Sequence, residues 1–277
     1  MGKLKINEYE ESEITNLAQM EKRKLGYVGA APIANDLINL LEQLQIILLE
    51  TPVESDNLEP SFSAAIFYSE IQELTFVGVN TADYYDNQLF AIAHELYHYF
   101  TKTGYHLSRI NDIKNNETEM KANYFASEFI FPKEELVKVI FEEFKSKNLK
   151  SVEINILLRL IARIYCKWWL PYKYIVLNLF EIGAISKRQK DDLEQYDVRD
   201  KNSIFAKICR AINPNVFSVL NTITRKNSTS PKLIEIIIKN FEDNLISEDE
   251  FEQKLKLFNL SPSDFGYVVE IAPDNFN

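Results

Sequence analysis

The sequence predicts an α+β fold, with a helix, a small antiparallel sheet and then helices to the end of the chain. Apolar residues recur at helical spacing over residues 34–44. Two β-forming runs, residues 63–68 and 74–79, flank a short polar segment typical of a hairpin connection. Beyond residue 84 the apolar residues follow helical periodicity again, punctuated by prolines and capping residues. A small sheet followed by a run of helices is typical of α+β proteins.

The elements around the predicted hairpin have local signals of their own. Residues 45–51 form an apolar run stopped by Pro52, which indicates a short buried strand. Turn and cap residues at positions 80–83 precede a helix predicted over residues 84–100, and Gly104 marks the end of that helix. The sheet is therefore expected to lead directly into this helix.

The second half of the chain is predicted to be helical. One helix is expected over residues 117–131, and Pro132 begins another that continues to residue 145. Two helical stretches follow within residues 152–179, and serine caps and prolines divide a helical tail from residue 203 onward.

Composition limits the function classes. The chain has 277 residues, 46% hydrophobic and 26% charged, which indicates a folded protein with a soluble surface. Its net charge of −10 argues against a protein that binds nucleic acid directly and favours, if anything, a basic protein partner. The first 20 residues are polar and acidic, all apolar runs are short, and Cys166 and Cys209 lack paired spacing. We therefore expect a cytoplasmic protein with reduced thiols and no contact with a membrane.

The residues that indicate chemistry are His94, Glu95 and His98. Residues four apart lie on one face of a helix, so both imidazoles can reach a single metal ion, with Glu95 beside them to take a proton from water. The flanking residues are strongly apolar, and burying two histidines and a glutamate among them is unfavourable without partners. A catalytic metal site fits this pattern better than an ordinary amphipathic helix.

A catalytic zinc ion usually takes three protein ligands and leaves one position for water. His106 lies eight residues after His98, which is not the spacing of a metzincin histidine triad, and the glycine of that motif is missing. The next helix offers Glu117, Glu119 and Glu128 as carboxylates. Any of these on a neighbouring helix could complete a site of two histidines and one carboxylate.

The helix that carries His94 and His98, together with the helix that follows it, resembles the ImmA/IrrE family of zinc metallopeptidases. Its members combine an HELGH-like helix with an E-x-x-A-N-x-F-A-x-x-L-L-x-P helix. This sequence has HELYH at residues 94–98 and EMKANYFASEFIFP at residues 119–132. The similarity extends over about residues 34–187, where residues 152–187 resemble a helix-turn-helix-like segment.

The resemblance implies a zincin-like helical core in which His94, His98 and Glu119 hold one Zn²⁺ per chain and Glu95 is the general base. Mn²⁺, Fe²⁺ or Co²⁺ could occupy such a site instead. Asn123 is expected beside the site rather than as a ligand.

Two further residues near the motif are weaker candidates. Tyr97 stands where the family usually has glycine, so it is a possible second-shell or substrate contact. His106 is another possible substrate contact, although a single histidine in a loop is more often a surface residue.

The resemblance also implies a function and a domain organisation. Family members are regulatory proteases of stress responses, mobile elements or toxin–antitoxin pairs, so the expected substrate is a specific protein, such as a transcriptional repressor. The alternative is a non-proteolytic regulator, or a toxin component, that uses the same fold as a protein- or DNA-binding platform. We expect an N-terminal extension at 1–33, a metallopeptidase domain at 34–200 and a helical C-terminal domain of unknown role at 201–277.

Overall fold

A computed structural model describes residues 6–29, 31–54, 62–69, 73–103 and 117–267, and the α+β prediction is confirmed. The helices are α1 (Glu8–Lys24), α2 (Leu37–Gln43), α3 (Tyr85–Thr101), α4 (Glu117–Ile130), α5 (Lys133–Phe144), α6 (Ile154–Trp168), α7 (Tyr172–Glu181), α8 (Lys187–Glu194), α9 (Ile204–Ile212), α10 (Pro214–Leu220), α11 (Pro231–Glu242) and α12 (Glu248–Lys256). The strands are β1 (Ile46–Thr51), β2 (Ala64–Ser69), β3 (Leu74–Asn80) and β4 (Ser228–Thr229), and short 3-10 turns cover Ala34–Asp36 and Pro262–Phe265.

The sheet is mixed, which corrects the prediction of an antiparallel sheet. Its strand order is β2-β3-β1-β4. β2 and β3 form the predicted antiparallel hairpin, but β1 runs parallel to β3, with Ile46 opposite Thr75 and Thr51 opposite Asn80. Residue periodicity identifies strands but not the partner or the direction of pairing, because those depend on contacts between distant segments.

The short strand β4 lies in the tail that was predicted to be helical throughout. Thr229 pairs with Leu49 of β1 in antiparallel register, and the Ser230 hydroxyl accepts a hydrogen bond from the Leu48 amide at 2.8 Å. β4 therefore covers one edge of the sheet. Among the described strands, none covers the outer edge of β2 at the opposite side.

Helix α3 lies at the centre of the main core. Every residue from Gln88 to His98 is buried, and α3 packs against α4 on one side and against the sheet on the other. In the N-terminal extension, α1 begins with a capping box between Asn7 and Glu10 and packs along α4. The central helix thus has little contact with solvent, which is the setting in which polar side chains need specific partners.

The C-terminal helices divide between two apolar clusters. Phe205 and Cys209 of α9, and Phe217 of α10, belong to the main core. A second, smaller cluster centres on Phe251 and Leu255 of α12 and packs against α11. The domain boundaries predicted from the sequence stay predictions.

The chain between α8 and β4 ties these helices to the start of α3. Arg199 donates two hydrogen bonds to the fully buried carboxylate of Asp86, at 2.8 and 3.0 Å. The Tyr85 amide donates to the Thr222 carbonyl at 2.9 Å. The first turn of α3 is therefore held by residues more than one hundred positions further along the chain. Across the described part of the chain, none of the helices has both the length and the apolar character needed to cross a membrane.

Candidate metal centre

The two histidines of α3 and Glu95 between them are almost completely buried. Their exposed fractions are 6% for His94, 1% for Glu95 and 4% for His98. The helix begins one residue later than predicted and continues to Thr101, so the two imidazoles are one helical turn apart on the same face.

Helix α4 places a carboxylate against this pair. His94 Nε2 lies 3.0 Å from Glu119 Oε2, and His98 Nε2 lies 3.5 Å from Glu119 Oε1. The two Nε2 atoms are 3.4 Å apart. Among the described residues, these three side chains form a group whose ligand atoms all lie within 4.8 Å of one another. Glu119 comes from the first turn of α4, and the buried Ala122, Phe125 and Ala126 pack that helix into the core.

The other ring nitrogen of each histidine has a defined oxygen partner. His94 Nδ1 lies 3.2 Å from Asn123 Oδ1, and His98 Nδ1 lies 3.1 Å from the Thr103 carbonyl oxygen. These oxygens only accept hydrogen bonds, so each Nδ1 carries a proton and each Nε2 of a neutral ring keeps its lone pair. Two lone pairs and a carboxylate therefore face one another, an arrangement that is repulsive unless a positive charge lies between them.

The distances fit a tetrahedral ion. A zinc ion with bonds of about 2.0–2.1 Å has ligand atoms about 3.3–3.4 Å apart when the angles are tetrahedral. The separations of His94 Nε2 from Glu119 Oε2 (3.0 Å) and from His98 Nε2 (3.4 Å) are close to that value, and the second carboxylate oxygen, Glu119 Oε1, lies 3.5 Å from His98 Nε2. The donor set of two imidazoles and one carboxylate also leaves a fourth position for water, as in catalytic zinc sites. The residues present can therefore hold a metal ion.

Burial and neighbouring charges shift the pKa values of the two histidines in opposite directions. Burial opposes protonation of His94, but its hydrogen bond to Glu119 and the charges of Glu95 and Glu119 outweigh burial and raise its pKa. Burial, followed by the neighbouring His94, lowers the pKa of His98 to about 4. Protonation of His94 therefore disfavours protonation of His98.

Glu95 lies on the side of α3 that faces strand β2. The backbone amide of Ile66 donates a hydrogen bond to its carboxylate, while burial raises the pKa of Glu95 to about 7. Among the described residues, none is a hydrogen-bond partner for Glu95 Oε2. The carboxylate is thus anchored on one side and has one oxygen available for a further ligand, such as a water molecule.

The remaining candidates are placed as follows. Asn123 lies one turn beyond Glu119 and contacts His94. Tyr97 is buried, with its ring 5.7 Å from those of His98 and Phe125. His106 lies outside the described residues.

The structure also separates the three candidate carboxylates of α4. Glu117 pairs with Lys121 on the surface, at 2.6 Å. Glu128 is buried near the far end of α4 and accepts a hydrogen bond from the Lys133 amide. Glu119 is therefore the one of the three that lies beside His94 and His98.

Two backbone partners at this site were not predicted from the sequence. Thr103 contributes a carbonyl because Lys102 ends α3 in the left-handed conformation and turns the chain back toward the helix. The Thr103 amide then donates a hydrogen bond to the His98 carbonyl, and the Thr103 carbonyl accepts one from the His98 ring. Ile66 contributes an amide because β2 lies against α3. The identity of a residue does not predict which hydrogen bonds its backbone groups form. Gly104, which indicated the end of α3, was the one sequence signal for this turn.

The fold and the donor set define a protein of the metallopeptidase type. Residues 60–160 match the model of a peptidase family described as the IrrE N-terminal-like domain, and this segment contains the residues 94–98 and Glu119. This match confirms, over these residues, the resemblance to the ImmA/IrrE family seen in the sequence. Comparison with curated proteins finds no match.

Proposed function

We propose that this chain is a zinc-dependent peptidase that hydrolyses a peptide bond in a specific partner protein. The observation that carries the proposal is the convergence of His94 Nε2, His98 Nε2 and the Glu119 carboxylate within a buried site. In this proposal these three residues hold one zinc ion per chain. Imidazole and carboxylate ligands in a tetrahedral arrangement suit zinc better than Mg²⁺ or Ca²⁺, which prefer sites built from oxygen atoms alone.

Glu95 is the proposed general base. When bound, zinc would polarise the scissile carbonyl and lower the pKa of a water molecule. Glu95 Oε2 would take a proton from that water and later deliver it to the leaving amine. The hydrogen bond from the Ile66 amide holds the Glu95 carboxylate in place, so that Oε2, which has no partner among the described residues, can accept this proton.

Strand β2 is the proposed site for the substrate backbone. Its outer edge is unpaired among the described strands, and its Ile66 amide reaches Glu95, so the edge of the sheet lies next to the proposed base. An extended peptide can add to such an edge through main-chain hydrogen bonds. Phe67 and Tyr68 of this strand are 44% and 43% exposed, so both side chains reach the protein surface. This arrangement favours an extended protein segment as the substrate.

The proposed partner is a transcriptional repressor, on the basis of the family resemblance. The net charge of −10 supports a partner with a basic surface, and DNA-binding proteins have such surfaces. The competing proposal is that the same fold binds a repressor without cutting it, and the experiments below separate the two.

Metal content is the first test. The full chain, purified without chelators, should contain about one zinc per chain, and His98→Ala and Glu119→Ala should each lose most of it. Glu117→Ala is the matched control, because Glu117 lies in the same turn of α4 but pairs with Lys121 on the surface. Equal zinc content in Glu119→Ala and Glu117→Ala would refute the assignment of Glu119.

Cleavage is the second test. The zinc-loaded chain is incubated with a proteome-derived peptide library and with candidate repressors encoded near its gene, and new termini are identified by mass spectrometry. Glu95→Gln should keep its zinc and lose cleavage by at least about 100-fold, as expected for loss of a general base. Glu128→Gln, which also removes a buried carboxylate, should cleave like the unaltered chain, since Glu128 lies about 13 Å further along α4 than Glu119. Products that persist in Glu95→Gln would contradict the proposed mechanism.

A further inference from the structure

Helix α7 contacts the outer side of the candidate metal centre, although it lies beyond the residues 60–160 that match the family. The Tyr174 hydroxyl donates a hydrogen bond to Asn123 Oδ1 at 3.4 Å. The same oxygen is 3.2 Å from His94 Nδ1. A chain of two hydrogen bonds therefore runs from α7 through α4 to the first histidine of the site.

The position of Tyr174 is fixed on both sides. Its ring stacks on Phe90 of α3, with centroids 3.7 Å apart and planes 12° from parallel. Phe90 lies one turn before His94 on the same helix, so Tyr174 contacts α3 through its ring and α4 through its hydroxyl. Close stacking of this kind restricts ring rotation and so directs the hydroxyl.

A regular seam sets the register between α7 and α4. One turn after Tyr174, Asn178 donates a hydrogen bond to the Ser127 hydroxyl at 2.9 Å, and both residues are buried. Asn178 and Ser127 are each four residues beyond the members of the first pair, so the two pairs form successive rungs between the helices. One turn further along α7, Glu181 pairs with Lys133, the first residue of α5, at 2.7 Å. The two rungs and this ion pair leave little freedom for α7 to slide.

The Tyr174 hydroxyl affects which ring nitrogen of His94 carries the proton. An asparagine amide can present either its oxygen or its NH₂ group to a neighbouring ring. A donor bound to the oxygen selects the orientation in which Asn123 accepts from His94 Nδ1. Burial raises the pKa of Tyr174, so its hydroxyl keeps its proton and remains a donor. With Nδ1 as the donor, the Nε2 lone pair of His94 is directed toward Glu119 and His98.

We propose that Tyr174 is a positioning residue of the metal centre, which orients the Asn123 amide and through it selects the metal-binding tautomer of His94. The metal centre is thus supported by a helix outside residues 60–160, which match the family model. This inference rests on the proposed zinc site but not on peptidase activity.

The test measures zinc affinity of the full chain by competition with a chromophoric chelator. Tyr174→Phe keeps the stacked ring and removes only the hydroxyl. It should weaken zinc binding by about threefold to tenfold, less than the 10–100-fold expected from loss of a direct partner of a ligating histidine, because the affected bond is long and indirect. The matched control is Tyr172→Phe on the same helix, which removes a buried hydroxyl bonded to the Leu193 carbonyl at 2.9 Å and should change zinc affinity less than twofold.

A double-mutant cycle separates positioning from general stability. Asn123→Ala should weaken zinc binding by about 10–100-fold. Adding Tyr174→Phe to Asn123→Ala should then have less than a twofold further effect, since the hydroxyl would have nothing left to orient. Equal zinc affinities of Tyr174→Phe and Tyr172→Phe, or independent effects in the cycle, would overturn the inference. Absence of zinc binding in the unaltered chain would instead be a failure of the proposed function.

Discussion

The pair of Arg199 and Asp86 allows a prediction about how the start of α3 is held. Asp86 has no exposed surface, and its two oxygens accept hydrogen bonds from Arg199. Arg199 also donates to Asn221 Oδ1 at 3.0 Å and lies 4.0 Å from the Tyr84 ring centroid. Replacing Arg199 by methionine keeps much of the apolar stem but leaves a buried carboxylate without its counter-ion.

The expected loss follows from these contacts. Removing one partner of a buried ion pair typically destabilises a protein by about 3–5 kcal/mol. Two features favour the lower end of that range, because the Arg199 side chain is 23% exposed and Asp86 lies in the first turn of α3, where the helix dipole stabilises negative charge. We therefore expect Arg199→Met to lower the free energy of unfolding by about 3 kcal/mol. For a chain of this size that corresponds to a fall in Tm of roughly 6–12 °C.

The assay is urea unfolding followed by tryptophan fluorescence, because Trp168 and Trp169 pack with the main core. Arg163→Met is the matched control, since Arg163 pairs with Glu143 at the surface, and it should change stability by at most about 1 kcal/mol. Asp86→Asn combined with Arg199→Met should be more stable than Arg199→Met alone, because the amide carries no charge. Burial already raises the pKa of Asp86, and loss of Arg199 raises it further, so the deficit of Arg199→Met should shrink as the pH falls from 7 toward 5. A loss below 1 kcal/mol at pH 7, or a double variant no more stable than the single one, would refute this reasoning.

Three further predictions concern other parts of the chain. Tyr97→Gly removes a buried ring that packs on Phe125 and adds a glycine to a helix interior. Urea unfolding should show that the free energy of unfolding falls by about 4 kcal/mol, while the zinc content stays near one per chain. Unchanged stability would mean that the ring does not support the core. Burial raises the pKa of Glu128 from 4.5 to about 7, so the folded chain retains a proton there that the unfolded chain releases, and Glu128 should contribute a fall in stability of about 3 kcal/mol as the pH rises from 4.5 to 7. Burial raises the pKa of Glu95 in the same way, so in urea titrations at each pH Glu128→Gln should reduce the slope by this amount without abolishing it; an unchanged slope would assign the whole effect to other groups. Phe251→Ala removes a fully buried ring stacked 4.3 Å from Phe241 in the small C-terminal cluster. Limited proteolysis should then cut within residues 231–267, while the unfolding of the main core, monitored by tryptophan fluorescence, is unchanged. A parallel loss of stability in the main core would show that the two clusters unfold together.

Much of the local structure could be predicted because its causes are local. The helix predicted over residues 84–100 differs from α3 by one residue at each end, and α4 and the β2–β3 hairpin lie where periodicity and turn residues indicated. A spacing of four between His94 and His98 is sufficient to place both rings on one face of a helix. The regular core of the fold and the two-histidine face therefore follow from residue order.

The sequence by itself determined the class of fold, the paired histidines and a short set of candidate carboxylates. The family resemblance selected Glu119 among these carboxylates, and the tertiary structure brings it beside the histidines. Only the tertiary structure decided that β1 pairs in parallel with β3. It also decided that Thr103 and Tyr174 support the rings from the turn after α3 and from α7. These features join segments that are distant in the chain or use backbone atoms, and their geometry is set by how the helices and strands pack, which residue periodicity does not encode.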